Sequence, residues 1–307
     1  MILIITYKED FTADFLINRL NESNIAYYRF NCEDLPQIDY CYQSGKSLSP
    51  MIAGNLNFSS VWLRRTKLPV IKGDKLSSAE VANITYEYEA LLNNFFLTVS
   101  AEKWLSMPHF IRLAENKLFQ IKHATALGFK VPETLVTNVK SELLSFASQY
   151  EDVIIKPLKS GRIREIEYDR LIYTNKLRSE HLQNIDQFDL SPCIFQRQIE
   201  KLYELRITVV GEEVFTASVA SQEDQETVVD WRRKKLKFIS YELPKEIKEK
   251  CIGLVKSLGL CFGAIDMIKS IDGNYYFLEI NPNGQWAWVE IDTGLPISES
   301  IIKFLTS

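Results

Sequence analysis

A carboxylate and an amide interrupt the apolar stretch YYFLEIN, where Glu279 and Asn281 stand two residues apart. Residues two apart on a β-strand point to the same face of the sheet. A second apolar stretch, FGAIDMIKS, carries Asp266, and an Asp-Gly pair at Asp272–Gly273 separates the two stretches. An Asp-Gly pair between strand-like stretches predicts a β-hairpin. The hairpin is expected to bring the three oxygen-bearing side chains together.

Two interpretations fit these three side chains. Two carboxylates in an apolar sheet repel each other unless a cation lies between them. Oxygen ligands with incomplete protein coordination suit Mg²⁺ that also binds waters and a phosphate-bearing substrate. A structural network of Asp266 and Asn281 beside an exposed Glu279 fits the spacing equally well, so the spacing alone leaves the choice open.

Basic residues at the ends of predicted elements are placed to meet phosphate. Lys156 ends the apolar strand VIIK before SGR, and Lys117 opens a predicted helix, whose N-terminus favours anions. The alternative is that each lysine is a solvated surface charge. Arg206 lies in the predicted strand ELRITVVG. A buried arginine needs an anionic partner, and Glu204 on the same strand face is one candidate.

Two further segments carry residues with two possible roles. The run WRRKKLK, residues 231–237, has five cations in seven residues and predicts either a solvated loop or a site for phosphate or an acidic substrate. Trp286 and Trp288 follow a predicted turn at Pro282, Asn283 and Gly284. They are expected either to pack beneath the hairpin or to contact a substrate.

The first hundred residues predict an open α/β unit. ILIITY and IAYYRFN predict strands on either side of a helix in TADFLINRLNES. SVWLRR predicts another strand that ends in charge, and a long helix from about Ser78 to Leu105 follows. The pattern restarts near Pro108, which places a domain boundary at about residue 110.

The remaining chain predicts a second unit of mixed elements. AENKLFQIKHATALG predicts a helix that Gly128 ends. ETLVT and DVIIKP predict strands around a helix in VKSELLSFASQY, and CIFQRQI, ELRITVVG and EVFTASVA predict a three-stranded antiparallel meander. PKEIKEKCIGLVKSLG predicts an amphipathic helix ended by Gly259, and the Asp-Gly hairpin follows.

The composition excludes several classes of protein. The 307 residues are 46% hydrophobic and 25% charged, which is typical of a soluble globular protein. A net charge of -4 argues against a general nucleic-acid or membrane-surface binder, and no apolar run approaches the ~18 residues of a membrane span. The start, MILIITYKED, predicts a strand rather than a signal peptide. Five cysteines without a C-x-x-C pair predict reduced thiols in a cytoplasmic protein, and the three scattered histidines predict no metal site.

The order of these residues resembles a known superfamily. A helix-start lysine, a strand-end lysine, an acid-x-Arg strand and an Asp…Glu-x-Asn set resemble the ATP-grasp superfamily. The end FLEINPNGQWAWVE, followed by TGLPIS, resembles the ATP-grasp peptide maturases known as microviridin-type or graspetide synthetases. VWLRR, ENKLFQIKHATALGFKVPETLVTN, IIKPL and DWR match as well, so the resemblance covers nearly the whole chain.

This resemblance implies a fold and its division. The expected class is α/β (α+β), an ATP-grasp fold with an N-terminal open α/β pre-ATP-grasp domain. The expected units are residues 1–110, a central subdomain of residues 111–190, and a C-terminal subdomain with the metal site, residues 191–307. One departure concerns the loop after Lys156, which has a single glycine, Gly161, where many ATP-grasp enzymes have a glycine-rich turn.

The resemblance also implies a role for each of twelve residues. Those expected to bind ATP are Lys117 and Lys156 at the phosphates, the backbone of Arg197, Gln198 and Ile199 at adenine, and Glu204 at the ribose. Those expected near the reacting groups are Arg206 beside the γ-phosphate and acyl phosphate, and Asp230 and Arg232 near the phosphates and the peptide carboxylate. Those expected to bind Mg²⁺ are Asp266, Glu279 and Asn281.

The activity that the resemblance implies is an ATP-dependent closure of side-chain macrolactone or macrolactam rings. The expected partner is a ribosomally made precursor peptide with a leader segment, and the expected assembly is a homodimer. One alternative is an ATP-grasp ligase that adds a free amino acid to a protein or a small acid. The other is a non-catalytic nucleotide-binding module, against which the intact Lys, Arg and Asp–Glu–Asn set argues.

Overall fold

The computed structural model describes residues 1–43, 47–52, 58–71, 73, 75–159, 161–164, 169–187 and 191–307. In these ranges, no helix combines the length and the apolar character needed to cross a membrane.

The N-terminal part is built on a parallel sheet, as its β-α-β order predicts. Its elements are β1 (Ile2–Thr6), α1 (Phe11–Glu22), β2 (Tyr27–Asn31), β3 (Tyr40–Gln43), β4 (Ser47–Ile52), β5 (Phe58–Leu63), α2 (Ser78–Thr98) and β6 (Ala101–Trp104). The parallel sheet has the order β2-β1-β5-β6, and β3 pairs with β4 antiparallel. Strand β1 is buried at every position, and β5 is buried except at Ser59, as expected for central strands of a parallel sheet.

The predicted long helix from Ser78 to Leu105 is wrong at its C-terminal end. The helix α2 begins with a capping box between Ser77 and Glu80 and ends at Thr98. The residues after it form the strand β6, parallel to β5.

The central part contains a small antiparallel sheet. Its elements are α3 (Pro108–Ala114), α4 (Lys117–Ala126), β7 (Thr134–Leu135), α5 (Lys140–Ala147), β8 (Val153–Pro157), β9 (Arg162–Arg164), β10 (Asp169–Leu171), β11 (Asn175–Lys176), α6 (Ser179–Gln183) and β12 (Cys193–Arg197). The sheet has the order β11-β8-β12-β7, and β9 pairs with β10. Gly128 follows α4 with φ +74°, as expected for a helix end.

The C-terminal part contains a five-stranded antiparallel sheet. Its elements are β13 (Lys201–Val210), β14 (Glu213–Val219), β15 (Ile239–Ser240), α7 (Lys245–Ser257), β16 (Phe262–Ser270), β17 (Tyr275–Asn281), α8 (Ala287–Thr293) and α9 (Ile297–Thr306). The order is β15-β14-β13-β16-β17. The predicted meander is therefore only half right, because β13 and β14 pair with each other but β12 lies between β7 and β8 in the central sheet.

The apolar core joins the N-terminal and C-terminal sheets. One buried cluster contains Leu3 of β1, Leu205 of β13, Val255 of α7 and Phe277 of β17. The central sheet has a separate small cluster that includes Val153 and Phe195. The division of the chain at residues 110 and 190 stays a prediction.

Candidate active site

A cavity of about 320 Å³ collects side chains from all three sheets. All twelve residues to which the sequence assigns a role line this cavity. They come from segments up to 164 residues apart, between Lys117 and Asn281, so only the fold brings them together.

The predicted hairpin is confirmed, and it sets the positions of the acidic residues. Strand β16 pairs with β17 so that Asp266 lies opposite Glu279 and Ala264 opposite Asn281. A bulge follows, because Met267 pairs with Phe277 and leaves Leu278 without an opposite residue.

The donor set of this hairpin fits a hard cation. Asp266 and Glu279 supply carboxylates, and the amide oxygen of Asn281 accepts a hydrogen bond of 3.0 Å from the backbone of Asn283. Among the described residues, no three His, Cys, Asp or Glu side chains lie close enough together to hold a metal ion by themselves. Two carboxylates and one amide leave coordination positions for waters and phosphate oxygens, which suits Mg²⁺.

Arg206 pairs with Asp266, and the predicted partner Glu204 is wrong. One terminal nitrogen of Arg206 lies 2.9 Å from both carboxylate oxygens of Asp266, and the other donates to the backbone oxygen of Gln285 at 3.1 Å. Arg206 lies directly opposite Asp266 in the β13–β16 register. Its Nε is buried and has no hydrogen-bond partner among the described residues.

Glu204 has its own cation. Its Oε1 accepts hydrogen bonds from Lys201 Nζ at 2.5 Å and from Ser221 Oγ at 2.7 Å. Burial raises the pKa of Glu204, and the charge of Lys201 acts against that shift.

Lys117 pairs with the other acidic residue of the hairpin. Its Nζ lies 2.9 Å from Glu279 Oε2 and donates to the backbone oxygen of Pro157 at 3.3 Å. Burial acts to raise the pKa of Glu279, but the charges of Lys117 and Lys156 outweigh it and hold that pKa below its ordinary value. The pKa of Asp266 is raised by burial and by the negative charge of Glu279, although Arg206 opposes the shift.

Lys156 contacts a neutral group. Its Nζ donates to Gln196 Oε1 at 2.9 Å, and the amide of Gln196 donates to Thr134 Oγ1 at 2.8 Å. Burial lowers the pKa of Lys156 to about 8, with Glu279 opposing that shift and Lys117 adding to it. A half-buried ammonium whose hydrogen-bond partner is neutral is costly, so this position favours an anionic ligand.

In the segment predicted to bind adenine, residues 197–199, some backbone groups already form hydrogen bonds within the protein and others do not. The amides of Arg197 and Gln198 already donate to the carbonyls of Glu133 and Asp152, each at 2.9 Å. In the described chain, the amide of Ile199 and the carbonyl of Gln198 have no backbone partner, and the side-chain oxygen of Gln198 is buried without one. These open groups fit a ligand with donors and acceptors on one edge, as adenine has.

Asp230 and Arg232 form a two-point ion pair. Arg232 donates to Asp230 through Nε at 2.8 Å and Nη2 at 2.5 Å, and Asp230 also accepts from the amide of Thr174 at 3.1 Å. The hydrogen bonds that Arg232 donates to Asp230 raise the pKa of Arg232 above its ordinary value. Arg233 and Lys234 of the same basic run do not line the cavity: Arg233 donates to the backbone oxygen of Thr174 and to Asn175, and Lys234 pairs with Asp224. The run as a whole therefore does not form one anion site.

Comparison with known proteins agrees with this geometry. Residues 116–291, more than half of the chain, match the family model described as prokaryotic glutathione synthetase, ATP-grasp domain. A RiPP-associated ATP-grasp ligase of Chryseobacterium gregarium, solved in complex with ADP and a leader and core peptide, is 30% identical, with a TM-score of 0.88 over 99% of this chain and 96% of that chain. The chain belongs to the RiPP-associated ATP-grasp ligases.

Two other relatives of this ATP-grasp ligase differ in what they act on. The macrocyclase MdnC of Microcystis aeruginosa MRC, solved with its precursor peptide MdnA, is 28% identical, with a TM-score of 0.86 over 99% of this chain and 98% of that chain. A tetrahydromethanopterin:alpha-L-glutamate ligase of Methanocaldococcus jannaschii is 23% identical over 214 residues, 66% of this chain and 71% of that protein.

The two tryptophans of the ligase lie in different surroundings. Trp286 is fully buried, with its ring edge-on to Phe15 at 5.9 Å and tilted to Trp62 at 6.4 Å, and it holds α8 against the N-terminal part. Trp288 lines the cavity beside Trp231, with ring centroids 5.6 Å apart. Packing accounts for Trp286, whereas Trp288 is open to the cavity.

Sequence reasoning missed five polar residues of the ligase's cavity. They are Arg65, Thr174, Gln196, Lys201 and Gln285. The signal for Arg65 is the pair of arginines that ends SVWLRR, since ligands of open α/β sheets bind beyond the carboxyl ends of the strands. Gly161 also lines the cavity, while Ser160 and the side chain of Arg162 lie outside the described residues.

Proposed function

We propose that this ATP-grasp ligase crosslinks side chains of a ribosomally made precursor peptide, forming ester or amide rings through an acyl phosphate. The observation that carries the proposal is the gathering of four cations, a carboxylate pair and open backbone groups in one cavity. Phosphoryl transfer from ATP to a carboxylate needs these groups at one place. The peptide class is supported by the full-length likeness to a ligase solved with ADP, a leader and a core peptide.

The first step is the activation of a substrate Asp or Glu. A carboxylate oxygen attacks the γ-phosphorus, the bond from that phosphorus to the bridging oxygen breaks, and ADP leaves. Two groups of side chains would neutralise the charge in this step: Lys117 and Lys156 toward the nucleotide phosphates, and Arg206 and Arg232 toward the transferred group. Asp266, Glu279 and Asn281 would hold Mg²⁺, which supplies charge neutralisation at the phosphate oxygens.

The second step closes the ring. A Ser or Thr hydroxyl, or a Lys amine, of the same peptide attacks the acyl carbon, the carbon–oxygen bond to phosphate breaks, and the proton of the nucleophile leaves with phosphate or solvent. A leader segment bound away from the cavity would supply binding energy that orients the core. The homodimer, the cytoplasmic location and the division of the chain into three units belong to the same proposal.

The test is the intact mass of a candidate precursor, a small open reading frame beside the coding sequence, after incubation with enzyme, ATP and Mg²⁺. We expect the loss of one water, and the release of one ADP and one phosphate, for each ring. Peptides in which core Asp and Glu are replaced by Asn and Gln serve as the matched control and should stay unchanged. A mass gain with a free amino acid would instead indicate an amino-acid ligase, and AMP as the product would contradict the acyl-phosphate route.

A further inference from the structure

The charges that line the cavity are almost completely paired. Each of the four lining carboxylates has one cation within 2.9 Å: Glu279 has Lys117, Glu204 has Lys201, Asp266 has Arg206, and Asp230 has Arg232. A fifth cation, Arg197, pairs with Glu133, which lies outside the lining. These pairs leave two lining cations to account for, Lys156 and Arg65.

The two remaining cations differ in their surroundings. Lys156 has a neutral partner in Gln196, at 2.9 Å. Arg65 donates no hydrogen bond and forms no ion pair with any of the described residues, although it is partly buried and lines the cavity. Since a guanidinium has five donors and is seldom buried without an anion, this position suits an anionic ligand.

The backbone beside Arg65 is held firmly in place. Arg64, the preceding residue, is 2% exposed, and both Nε and Nη2 lie 3.2 Å from the carboxylate oxygens of Asp10. Its Nη1 donates to the carbonyls of Asn283 at 3.0 Å and Gly284 at 3.1 Å. Arg65 therefore projects from a fixed point at the carboxyl end of β5.

The charges around Arg65 favour a negatively charged occupant. Burial and the cations Arg64 and Arg206 lower the pKa of Arg65, and the net shift stays downward although Tyr7 and the Asp10 carboxylate, which is already bonded to Arg64, act against it. Arg206 is itself placed at the reacting groups by the proposed function. An anion between Arg65 and Arg206 would relieve the repulsion between two guanidinium groups, and a carboxylate matches their planar geometry.

We propose that Arg65 binds the substrate side-chain carboxylate that receives the phosphoryl group. The assignment rests on the proposed function and names the residue that holds the acyl substrate. Lys156 then serves the nucleotide, and Arg65, on the N-terminal sheet, serves the peptide. The nucleotide and the peptide carboxylate are both anionic, and each would then bind one of the two lining cations that have no acidic partner.

The direct test uses glutarate as the probe, because it carries the side-chain carboxylate of glutamate without a peptide. Its binding to the full chain in the presence of ADP and Mg²⁺ is followed by the fluorescence of Trp231 and Trp288, which line the cavity. We expect Arg65→Gln to weaken glutarate about tenfold or more, and Arg65→Lys to weaken it less, while ADP affinity stays within about twofold. Equal affinity in wild type and Arg65→Gln, or no binding to either, would overturn the proposal.

Arg112→Gln is the matched control. Arg112 is an exposed arginine of α3 that contacts Asn93 and does not line the cavity, so glutarate affinity should stay at the wild-type value. Because Arg65 makes no hydrogen bond or ion pair with the described residues and acts on Glu115 only through its charge, Arg65→Gln breaks no such contact, and its melting temperature should match that of wild type. If Arg112→Gln lowers the affinity for glutarate as much as Arg65→Gln does, the loss comes from the change in net charge, and the assignment of Arg65 is wrong.

A kinetic test separates this inference from the proposed function. With a precursor that the wild type dehydrates, Arg65→Gln should lower kcat/KM for the peptide at least about tenfold and leave KM for ATP unchanged. Full peptide turnover by Arg65→Gln would overturn the role of Arg65 while the ligase function stands. Failure of the wild type to dehydrate any precursor would contradict the ligase function, and the glutarate titration would still decide the role of Arg65.

Discussion

Two ion pairs of the cavity each join a cation expected to contact phosphate to a carboxylate expected to contact the metal. Lys117, expected at phosphate, pairs with Glu279, expected at the metal, and Arg206 pairs with Asp266 in the same way. If Mg²⁺ and phosphate enter together, the carboxylates exchange a protein cation for the metal, and the cations exchange a carboxylate for phosphate. Such an exchange conserves the number of charge contacts and keeps the side chains positioned before the ligands arrive.

Glu279→Gln tests this exchange. The substitution removes one negative charge from the proposed metal site and the ionic partner of Lys117. We expect peptide-dependent ATP consumption to fall about 10²-fold or more, because the charge-neutralising contact at the phosphates is lost. Glu249→Gln, on the exposed face of α7, is the control and should be neutral. ATP consumption near the wild-type level, with circular dichroism unchanged in both variants, would remove Glu279 from the metal site.

The pKa of Lys156 predicts how nucleotide binding depends on pH. Burial holds that pKa at about 8, and bound phosphate favours the charged form, so binding takes up a proton above pH 8. Affinity for ADP should therefore be fully present below pH 8 and fall roughly five- to tenfold between pH 7.5 and pH 9. Lys156→Arg keeps its charge through this range and should flatten the profile in calorimetric titrations. A wild-type profile as flat as that of Lys156→Arg would contradict the assignment of Lys156 to the phosphates.

At this scale, the sequence predicts residue types better than residue partners. The spacing of Asp266, Glu279 and Asn281 is local, because a single hairpin turn determines it, and the expected pairing is confirmed. The partner of Arg206 depends on the register between β13 and β16, strands 60 residues apart in this pair. No local pattern contains that register, so the nearest acid along the strand, Glu204, was the wrong partner.

At the scale of elements, the sequence likewise predicts which residues form a strand better than it predicts which strands pair. CIFQRQI was predicted correctly as a strand, but its neighbours were not, because β12 pairs with β7 and β8 rather than with β13. The end of α2 also escaped prediction. Neither glycine nor proline directly follows Thr98, and the residue at the helix end is a valine, Val99. Only pairing with β5, a tertiary contact, makes AEKW a strand.

The turn after β17 connects that strand to the N-terminal sheet and to Arg206. Its residues accept hydrogen bonds from Arg64 on one side and from Arg206 on the other. Gly284 fits there because a Cβ would lie 2.3 Å from Ala264 Cβ and 3.0 Å from the guanidinium of Arg206. The turn is therefore a packed element of the site, and its glycine is required by close approach rather than by backbone dihedrals.

Gly284→Ala should accordingly displace the turn and Arg206. We expect kcat to fall about tenfold or more and the melting temperature to decrease, since overpacking typically costs about 1–3 kcal/mol. Gly253→Ala is the matched control: it lies within α7, and its Cβ would meet Leu127 at an ordinary 3.8 Å. That variant should be stabilised by about 0.5–1 kcal/mol with unchanged activity. Equal activity and stability in the two alanine variants would show that the turn tolerates a side chain.

At the scale of the whole molecule, one buried ion pair joins the N-terminal sheet to the active site. Arg64 and Asp10 are 2% and 1% exposed, so their charges depend on each other rather than on water. Asp10 also begins α1, accepting from the backbone amides of Thr12 and Ala13. The same pair therefore fixes α1, the end of β5 and the turn that contacts Arg206. The sequence predicts SVWLRR as a strand that ends in charge, but it does not predict the partners of Arg64, because they lie 54 residues before it and more than 200 residues after it.

Breaking this pair from one side should destabilise the whole chain. Arg64→Met leaves the Asp10 carboxylate buried without a cation, and we expect the free energy of unfolding in urea to fall by about 3–5 kcal/mol. Asp10→Asn/Arg64→Met removes both charges and keeps a side chain able to cap α1, so it should be more stable than the sum of the two single variants predicts. Arg19→Met, which removes an exposed arginine of α1, is the control and should change stability by less than about 1 kcal/mol. Strict additivity in this double-mutant cycle would show that Arg64 and Asp10 act independently, and that the N-terminal sheet is held to the site by apolar packing alone.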